Sequence, residues 1–380
     1  MPPYPFVVQL TQAEPNRRTA LMGVTAAVGL LGCATTASGF SGDQVKFFVG
    51  TYSSDAARGI YPLTYSRRAD RWTLGTAMPA IENVSFGTYD GKTKRYYLLN
   101  EKADGRVAAY GRDWKATGEV SSHGRDPCYI ATDPTGGYVA VANYSSGNIA
   151  VYKAGANGEL IEPPVIRQNA GKGPKTDRQE GPHAHWVQFH GEYIYSVDLG
   201  TDQVLGYGFD AATGAVGDTF VAYQAPAGSG PRHMVFHKDG THAFIATELS
   251  SQVIVLRKTT DGRFEAIQTL STLPSGFTGE SFCAHILLNQ AGDRLYISNR
   301  GDNSIAVFAV ASGHLDLLQI APTLGNWPRF FLLREDLKRV VVAHQRGNDL
   351  VIFELKSDGT LQPKNQTIPV SQPVFIAAIA

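Results

Sequence analysis

Hydrophobic and polar positions alternate in short runs along most of the chain, and the runs come in pairs around tight turns. The segment GPRHMVFHKDGTHAFIATELSSQVIVL, from Gly230 to Leu256, shows the pattern. It reads as two strands around a tight turn, with charge held at the ends. Between them, Lys238-Asp239-Gly240-Thr241 is a glycine-containing hairpin connection. Antiparallel pairing around that turn brings Arg232 to within about one position of Glu248. The two charges are therefore predicted to meet at one rim of the hairpin.

The same hairpin recurs. PCYIATDPTGGYVAVANYSSGNIAVY starts at Pro127, PHAHWVQFHGEYIYSVDLGTDQVLGY at Pro182, FCAHILLNQAGDRLYISNRGDNSIAVF at Phe282 and PRFFLLREDLKRVVVAHQRGNDLVIF at Pro328, with a weaker copy from Asn83. Each unit holds a first strand, a turn, a second apolar strand closed by a polar pair, a short turn and a third strand. A polar segment then leaves room for a fourth. Repeats of about 45 to 55 residues fit four-stranded propeller blades. Two fragments remain outside the six full units. VKFFVGTYSSDAARGIYPLTY has second and third strands without a first, and PVFIAAIA at the end has a first strand alone. Joined, they complete a seventh blade and remove the open sheet edge. The expected fold is all-β, a seven-bladed propeller over residues 45–380 closed by the C-terminal strand.

Composition agrees with this picture. An apolar fraction of 43% with 40 Gly, 17 Tyr and 18 Phe suits a turn-rich β protein with a packed core. Lys+Arg and Asp+Glu balance at 34 each, so net charge gives no sign of a nucleic-acid partner. Beyond the first forty residues no run is long and apolar enough to span a bilayer.

Residues 1–40 read differently. NRRTALMGVTAAVGLLGCATTASG pairs Arg17 and Arg18 with a short apolar run from Ala20 to Leu31, as in an export signal of the twin-arginine or lipoprotein kind. Leu30-Leu31-Gly32-Cys33 looks like a lipobox, which would make Cys33 a lipidated N-terminus. A plain signal cleaved after Cys33, or a buried apolar helix, is the alternative. The expectation is a periplasmic lipoprotein of a Gram-negative bacterium, monomeric and anchored to the membrane by lipid. Cys128 and Cys283 fall in matching repeat positions and read as small packed hydrophobes, and no spacing of Cys and His marks a metal site.

In a blade, the start of strand one and the end of strand two lie at the same end. The residues flanking each Pro marker and the polar pair closing each second strand should therefore crowd around the channel mouth. His183, His185, Arg232, His233, Glu248, His285, Arg300, Arg329 and Glu101 all belong to this set. Strand alternation places His183 and His185 on one face, away from Ala184. His190, His237 and His242 fall near turns at the opposite end and read as surface residues, while Asn143 and Asn299 read as turn formers.

RQEGPHAH, GSGPRHMVFHKDG, ELSSQVIVL, YISNRGDNSIAVF and the Pro-initiated final strand resemble the seven-bladed lactonase family, which includes bacterial 6-phosphogluconolactonases and fungal carboxy-muconate lactonizing enzymes. The resemblance runs from about Val45 to the C-terminus. It implies lactone chemistry without a cofactor and a small-molecule lactone as partner. The active site proposed for the lactonizing branch is a His, an Arg, a Glu and a further Arg. Carried over, these are His185 (or His183), Arg232, Glu248 and Arg300. His183, His233, His285, Glu101 and Arg329 are then the expected substrate-binding set. The sequence departs from the family at His285 and Leu287, where an acid and a His are usual, and at Trp186, where a small residue is common.

Opening a lactone needs an activated water and a positive group beside the oxyanion. A neutral His serves as base and Arg as the positive group, with Glu248 either orienting them or acting as base itself. Three other readings stay open: Arg232–Glu248 as a purely structural ion pair, a muconate-type cycloisomerase, and a non-catalytic propeller that binds a partner at the cell envelope.

Overall fold

The computed structural model describes residues 42–52, 54, 59–78 and 81–380. The twin-arginine segment and Cys33 lie outside them. The described residues form seven antiparallel four-stranded sheets, each running in chain order from an inner to an outer strand except at the closure. There the C-terminal strand Pro373–Ala378 is the inner strand of the first blade, next to Gln44–Thr51, Ile60–Ser66 and Arg71–Leu74. Phe47 pairs with Ala378 and Gly50 with Phe375, so both ends of the chain lock one sheet. The remaining blades span 87–121, 127–168, 184–224, 231–271, 282–322 and 328–369. Two single-turn 3-10 segments, Thr260–Gly262 and Glu335–Leu337, are the only helical elements among the described residues.

In most blades the inner three strands are buried on both faces because neighbouring blades pack against them. The second strands accordingly read as near-continuous apolar runs, such as Tyr138–Asn143 and Arg339–His344. The fourth strands are mostly exposed, as in Leu361–Pro369, where only Leu361 and Ile368 are buried.

One backbone feature repeats around the ring. The amide closing strand two donates to a carbonyl just before the inner strand: Tyr52 to Gln372, Glu101 to Asn83, Tyr144 to Asp126, Leu199 to His183, Glu248 to Gly230 and Gln345 to Trp327. In the sixth blade Arg300 pairs with Phe282 at the same place. At five of these acceptors, Asn83, Asp126, Gly230, Trp327 and Gln372, the backbone is left-handed, with φ between 46° and 69°. Gly230 is required there on a second count, since a Cβ would fall 2.4 Å from Leu249 Cγ.

Three residues beyond the acceptor, every blade contributes a ring: Phe86, Tyr129, Trp186, His233, His285, Phe330 and Phe375. Phe86 stacks on Tyr129 at 4.1 Å, His285 on Phe330 at 4.3 Å, and Phe375 lies 5.0 Å from Phe86. His233 closes the set, 5.1 Å from Tyr129 and 5.6 Å from His285. This aromatic layer plugs the channel. It also accounts for the unusual Trp186, which packs in the plug 5.9 Å from Tyr129.

The expectation of surface histidines at the far end needs correction. His190 is 6% exposed and stacks on Phe236 at 3.8 Å, an aromatic partnership between blades that periodicity does not reveal. His237 and His242 are partly buried against the shared carboxylate of Asp239, at 2.9 and 2.7 Å. Both cysteines are buried, but Cys283 stands one register position before that of Cys128.

Candidate active site

The residue between the backbone acceptor and the plug decides what the channel mouth holds. Two positions beyond the acceptor the blades carry Val374, Ser85, Cys128, His185, Arg232, Ala284 and Arg329. The strand register slips by one residue at this point in six blades, forming a β-bulge on the inner strand. A bulge interrupts the alternation of side chains and re-aims the extra residue. The chain thereby sets one row of side chains directly above the aromatic plug. A second row, Tyr52, Glu101, Tyr144, Leu199, Glu248, Arg300 and Gln345, comes from the ends of the second strands.

Arg232 and Glu248 meet as their hairpin register predicts, with Arg232 Nε 2.9 Å from Glu248 Oε2. Two further guanidiniums converge on the same carboxylate: Arg300 Nη2 at 2.7 Å from Oε2 and Arg178 Nη2 at 2.6 Å from Oε1. Arg232 Nη1 also donates to the Ala284 carbonyl at 2.6 Å, and Arg300 Nη2 to that of Cys283 at 2.9 Å. Burial opposes ionisation of Glu248, but Arg300, Arg232 and Arg178 outweigh it and hold the carboxyl far below its usual range. Burial, and then Arg300 and Arg329, pull Arg232 below its ordinary value, though it stays charged at neutral pH.

His185 is the bulge residue of its blade. Its Nδ1 lies 3.6 Å from Cys128 Sγ, and its ring packs edge-on against Tyr144 and His233, both at 5.3 Å. Burial, reinforced by Arg232, pushes its pKa well below 6.5, so the imidazole is neutral at pH 7. His183 lies outside the strand, which begins at Ala184, and the bulge ends the simple alternation that put the two on one face. They still share Tyr144: His183 stacks on it at 4.4 Å, and its Nδ1 donates to the Tyr144 carbonyl at 3.1 Å. His183 lines a cleft of about 400 Å³ together with Tyr144, Arg178, Glu180, Arg125 and Asp126.

Of the other expected substrate-binding residues, Glu101 and Arg329 face each other at 3.8 Å on the opposite side of the mouth. His233 and His285 sit one layer lower, in the plug. Arg232 Nη1 reaches His233 Nε2 at 3.0 Å, and burial takes His285 down to about 3. Asn143 and Asn299 serve their loops, donating to the carbonyls of Ser122 (3.0 Å) and Thr272 (2.8 Å).

Three polar mouth residues escaped the sequence reading. Arg178 comes from the excursion between the third and fourth blades. It is fixed by its neighbour Gln179, which is fully buried and donates to Leu199 O at 2.9 Å and Asp202 Oδ1 at 2.8 Å. Its signal was in plain view, as the first residue of RQEG. Tyr52 closes strand two of the split blade and donates its hydroxyl to Glu101 Oε1 at 2.8 Å. Ser85 occupies the position of Arg232 in the second blade, and nothing in its type marks it out.

At the channel mouth a solvent-shielded carboxylate is held by three arginines, with a histidine that is neutral at pH 7 and an aromatic plug below. Residues 46–378 match the family model described as lactonase, 7-bladed beta-propeller. A 6-phosphogluconolactonase of Bacillus subtilis is 35% identical over 343 residues, covering 87% of this chain and 97% of that protein. Among solved structures, the periplasmic gluconolactonase of Pseudomonas aeruginosa superposes with a TM-score of 0.80 at 28% identity, over 89% of this chain and 99% of that one. A protein from Lactobacillus plantarum matches with a TM-score of 0.80 at 32% identity, over 88% of this chain and 99% of that one. With its matched blades and its inner-strand mouth, the chain belongs to the seven-bladed β-propeller lactonase family.

Proposed function

We propose that the protein hydrolyses a sugar-derived lactone to the open acid, with His185 as general base and Arg232 and Arg300 stabilising the oxyanion. The observation that carries this reading is the triple pairing of Glu248 with Arg178, Arg232 and Arg300 beside a neutral His185. A carboxylate held so far below its usual range is a poor proton acceptor, so Glu248 fixes the arginines and leaves the base role to His185. In the reaction, His185 removes a proton as the water oxygen bonds to the carbonyl carbon. The carbonyl π electrons move onto oxygen, where the guanidiniums stabilise them. Negative charge forming there also raises the proton affinity of the imidazole that must take the proton. Collapse breaks the ring C–O bond, and the imidazolium returns its proton to the leaving alkoxide. General base catalysis contributes roughly 10²–10⁴-fold, and a preorganised oxyanion donor about 10²–10³-fold.

The substrate we favour is an unphosphorylated, gluconolactone-like aldonolactone met outside the cytoplasm. The export-type N-terminal sequence supports this, as does the likeness to a periplasmic gluconolactonase. One observation favours a phosphorylated lactone instead: three guanidiniums against one carboxylate leave two positive charges at the mouth, which would suit an anionic substituent. A pH-stat panel of aldonolactones, 6-phosphogluconolactone and muconolactone on the mature protein decides between them. Preference for the aldonolactone is expected, and a strong preference for the phosphorylated member overturns that choice of substrate. No turnover of any lactone overturns the hydrolase reading in favour of a binding module.

A further inference from the structure

Two blades carry glutamate at the same point of the mouth, and their surroundings differ in one respect. In the fifth blade Glu248 faces Arg232 on the adjoining strand, and both its oxygens are engaged by guanidiniums. In the second blade the counterpart of Arg232 is Ser85, whose side chain is too short to pair with the counterpart carboxylate of Glu101. Tyr52 donates to Glu101 Oε1 at 2.8 Å, and Arg329 stands 3.8 Å from the same oxygen with its guanidinium 5.3 Å above the Tyr52 ring. Glu101 Oε2 is buried with no hydrogen-bond partner among the described residues, and so is Ser85 Oγ, in a residue only 5% exposed. A buried carboxylate oxygen and a buried hydroxyl left unpaired are each unfavourable, and buried polar groups of folded proteins are almost always paired.

We infer that Glu101 Oε2 and Ser85 Oγ read hydroxyl groups of a polyol, making Glu101 and Ser85 specificity-determining residues across the mouth from the arginine cluster. This rests on the proposed lactone hydrolysis and names which end of the substrate lies where. An ionised carboxylate accepts only from donors, so its free oxygen selects O–H groups and repels phosphate or carboxylate. Ser85 both donates and accepts, which matches a neighbouring hydroxyl. Tyr52 decides which carboxylate oxygen stays free. Burial raises its phenol far above the ordinary range, so it remains a donor at every working pH. The carbonyl to be attacked then points towards Arg232, Arg300 and His185.

The test compares D-glucono-δ-lactone with δ-valerolactone, which has the same ring without hydroxyls. In Glu101→Gln, kcat/KM for gluconolactone is expected to fall by about 10- to 100-fold, as for a lost charge-assisted hydrogen bond, and by several-fold more than for valerolactone. Ser85→Ala should cost gluconolactone about 3- to 10-fold. It leaves the Tyr52–Glu101–Arg329 contacts intact, so it remains informative if Glu101→Gln folds poorly. Calorimetric titration with D-gluconate and 5-hydroxyvalerate reads the same subsite without turnover. Wild type should prefer gluconate, and both variants should lose that preference. Equal losses on both lactones, or no gluconate preference in wild type, overturn the inference. A gluconate preference in a protein that opens no lactone leaves the subsite standing while the hydrolase reading falls.

Discussion

Arg232 Nε sits 2.9 Å from Glu248 Oε2 with both side chains sealed from solvent, at 3% and 4% exposure. The contact links the bulge of an inner strand to the residue closing the next strand, and Arg178 and Arg300 complete it. Removing one partner from such a cluster leaves an uncompensated buried charge, which typically costs about 3–5 kcal/mol.

Glu248→Ala is therefore expected to destabilise the fold by about that much, since three guanidiniums then face one another. Arg232→Ala should destabilise less, because Arg178 and Arg300 still satisfy the carboxylate. Each substitution, and His185→Ala, should lower kcat/KM by at least about 100-fold, beyond what lost folding explains. Urea unfolding and steady-state kinetics on the singles and the Arg232/Glu248 double check this. If the double matches the singles in stability loss while turnover survives, the pair is scaffold alone.

The acid limb of activity should report His185. Burial and Arg232 keep its pKa well below 6.5, so the base stays unprotonated and kcat/KM stays level from pH 7 down past 6. A residual-activity variant, Arg232→Gln, removes the larger of the two charges that depress it, Arg232 and Arg329, and should move the limb to higher pH. A limb that does not move with this substitution assigns the base elsewhere.

Stability should fall from near pH 6.5 downwards, earlier than carboxylates alone would dictate. Burial takes His190 down to about 4 and His285 to about 3, so both remain neutral in the fold at pH 5. The unfolded chain takes up these protons below about pH 6.5, and each histidine then costs about 1.4 kcal/mol per pH unit until its folded value is reached. The depressed Glu248 adds its loss only below its unfolded value of about 4.3. Urea unfolding at pH 7.5, 6 and 5 measures the slope, and His190→Phe, keeping the stack on Phe236, should flatten it. A constant unfolding free energy across this range would rule the coupling out.

Blade number, closure and the Arg232–Glu248 contact were all legible in the chain, because period-two alternation and turn markers fix hairpin register. Ring-wide register was not. A bulge adds one residue that alternation cannot foresee, so His183 and His185 read as one face although only His185 stands on the inner row. Ser85 was silent for the same reason, since its meaning comes from sharing a position with Arg232. The unpaired oxygen of Glu101 follows from that position, not from residue type. Arg178 arrives from a loop, where strand arithmetic has nothing to say.

The N-terminal sequence carries its own expected outcome. We propose export through the Arg17-Arg18 signal and tethering at Cys33. Expressed in a Gram-negative host, the full chain should fractionate with membranes, and Cys33→Ser should release it to the soluble periplasmic fraction. Identical soluble behaviour of both forms would end the lipidation proposal.

Ring closure predicts what a short C-terminal deletion does. Pro373–Ala378 is the inner strand of the first blade, pairing through Phe47–Ala378, Phe48–Ala377, Val49–Ile376 and Gly50–Phe375. It also supplies Phe375 to the plug, 5.0 Å from Phe86 and 5.2 Å from Phe330. Deleting residues 371–380 would expose the edge of Gln44–Thr51, whose last five residues are buried. A flat apolar edge of this kind is a template for pairing with other chains. The truncated protein should form soluble aggregates or precipitate, measured by size-exclusion chromatography with light scattering. Adding a synthetic peptide of residues 371–380 during refolding should recover a part of the monomer. A truncation that stays monomeric and unfolds in one cooperative step would show that the ring does not depend on this strand.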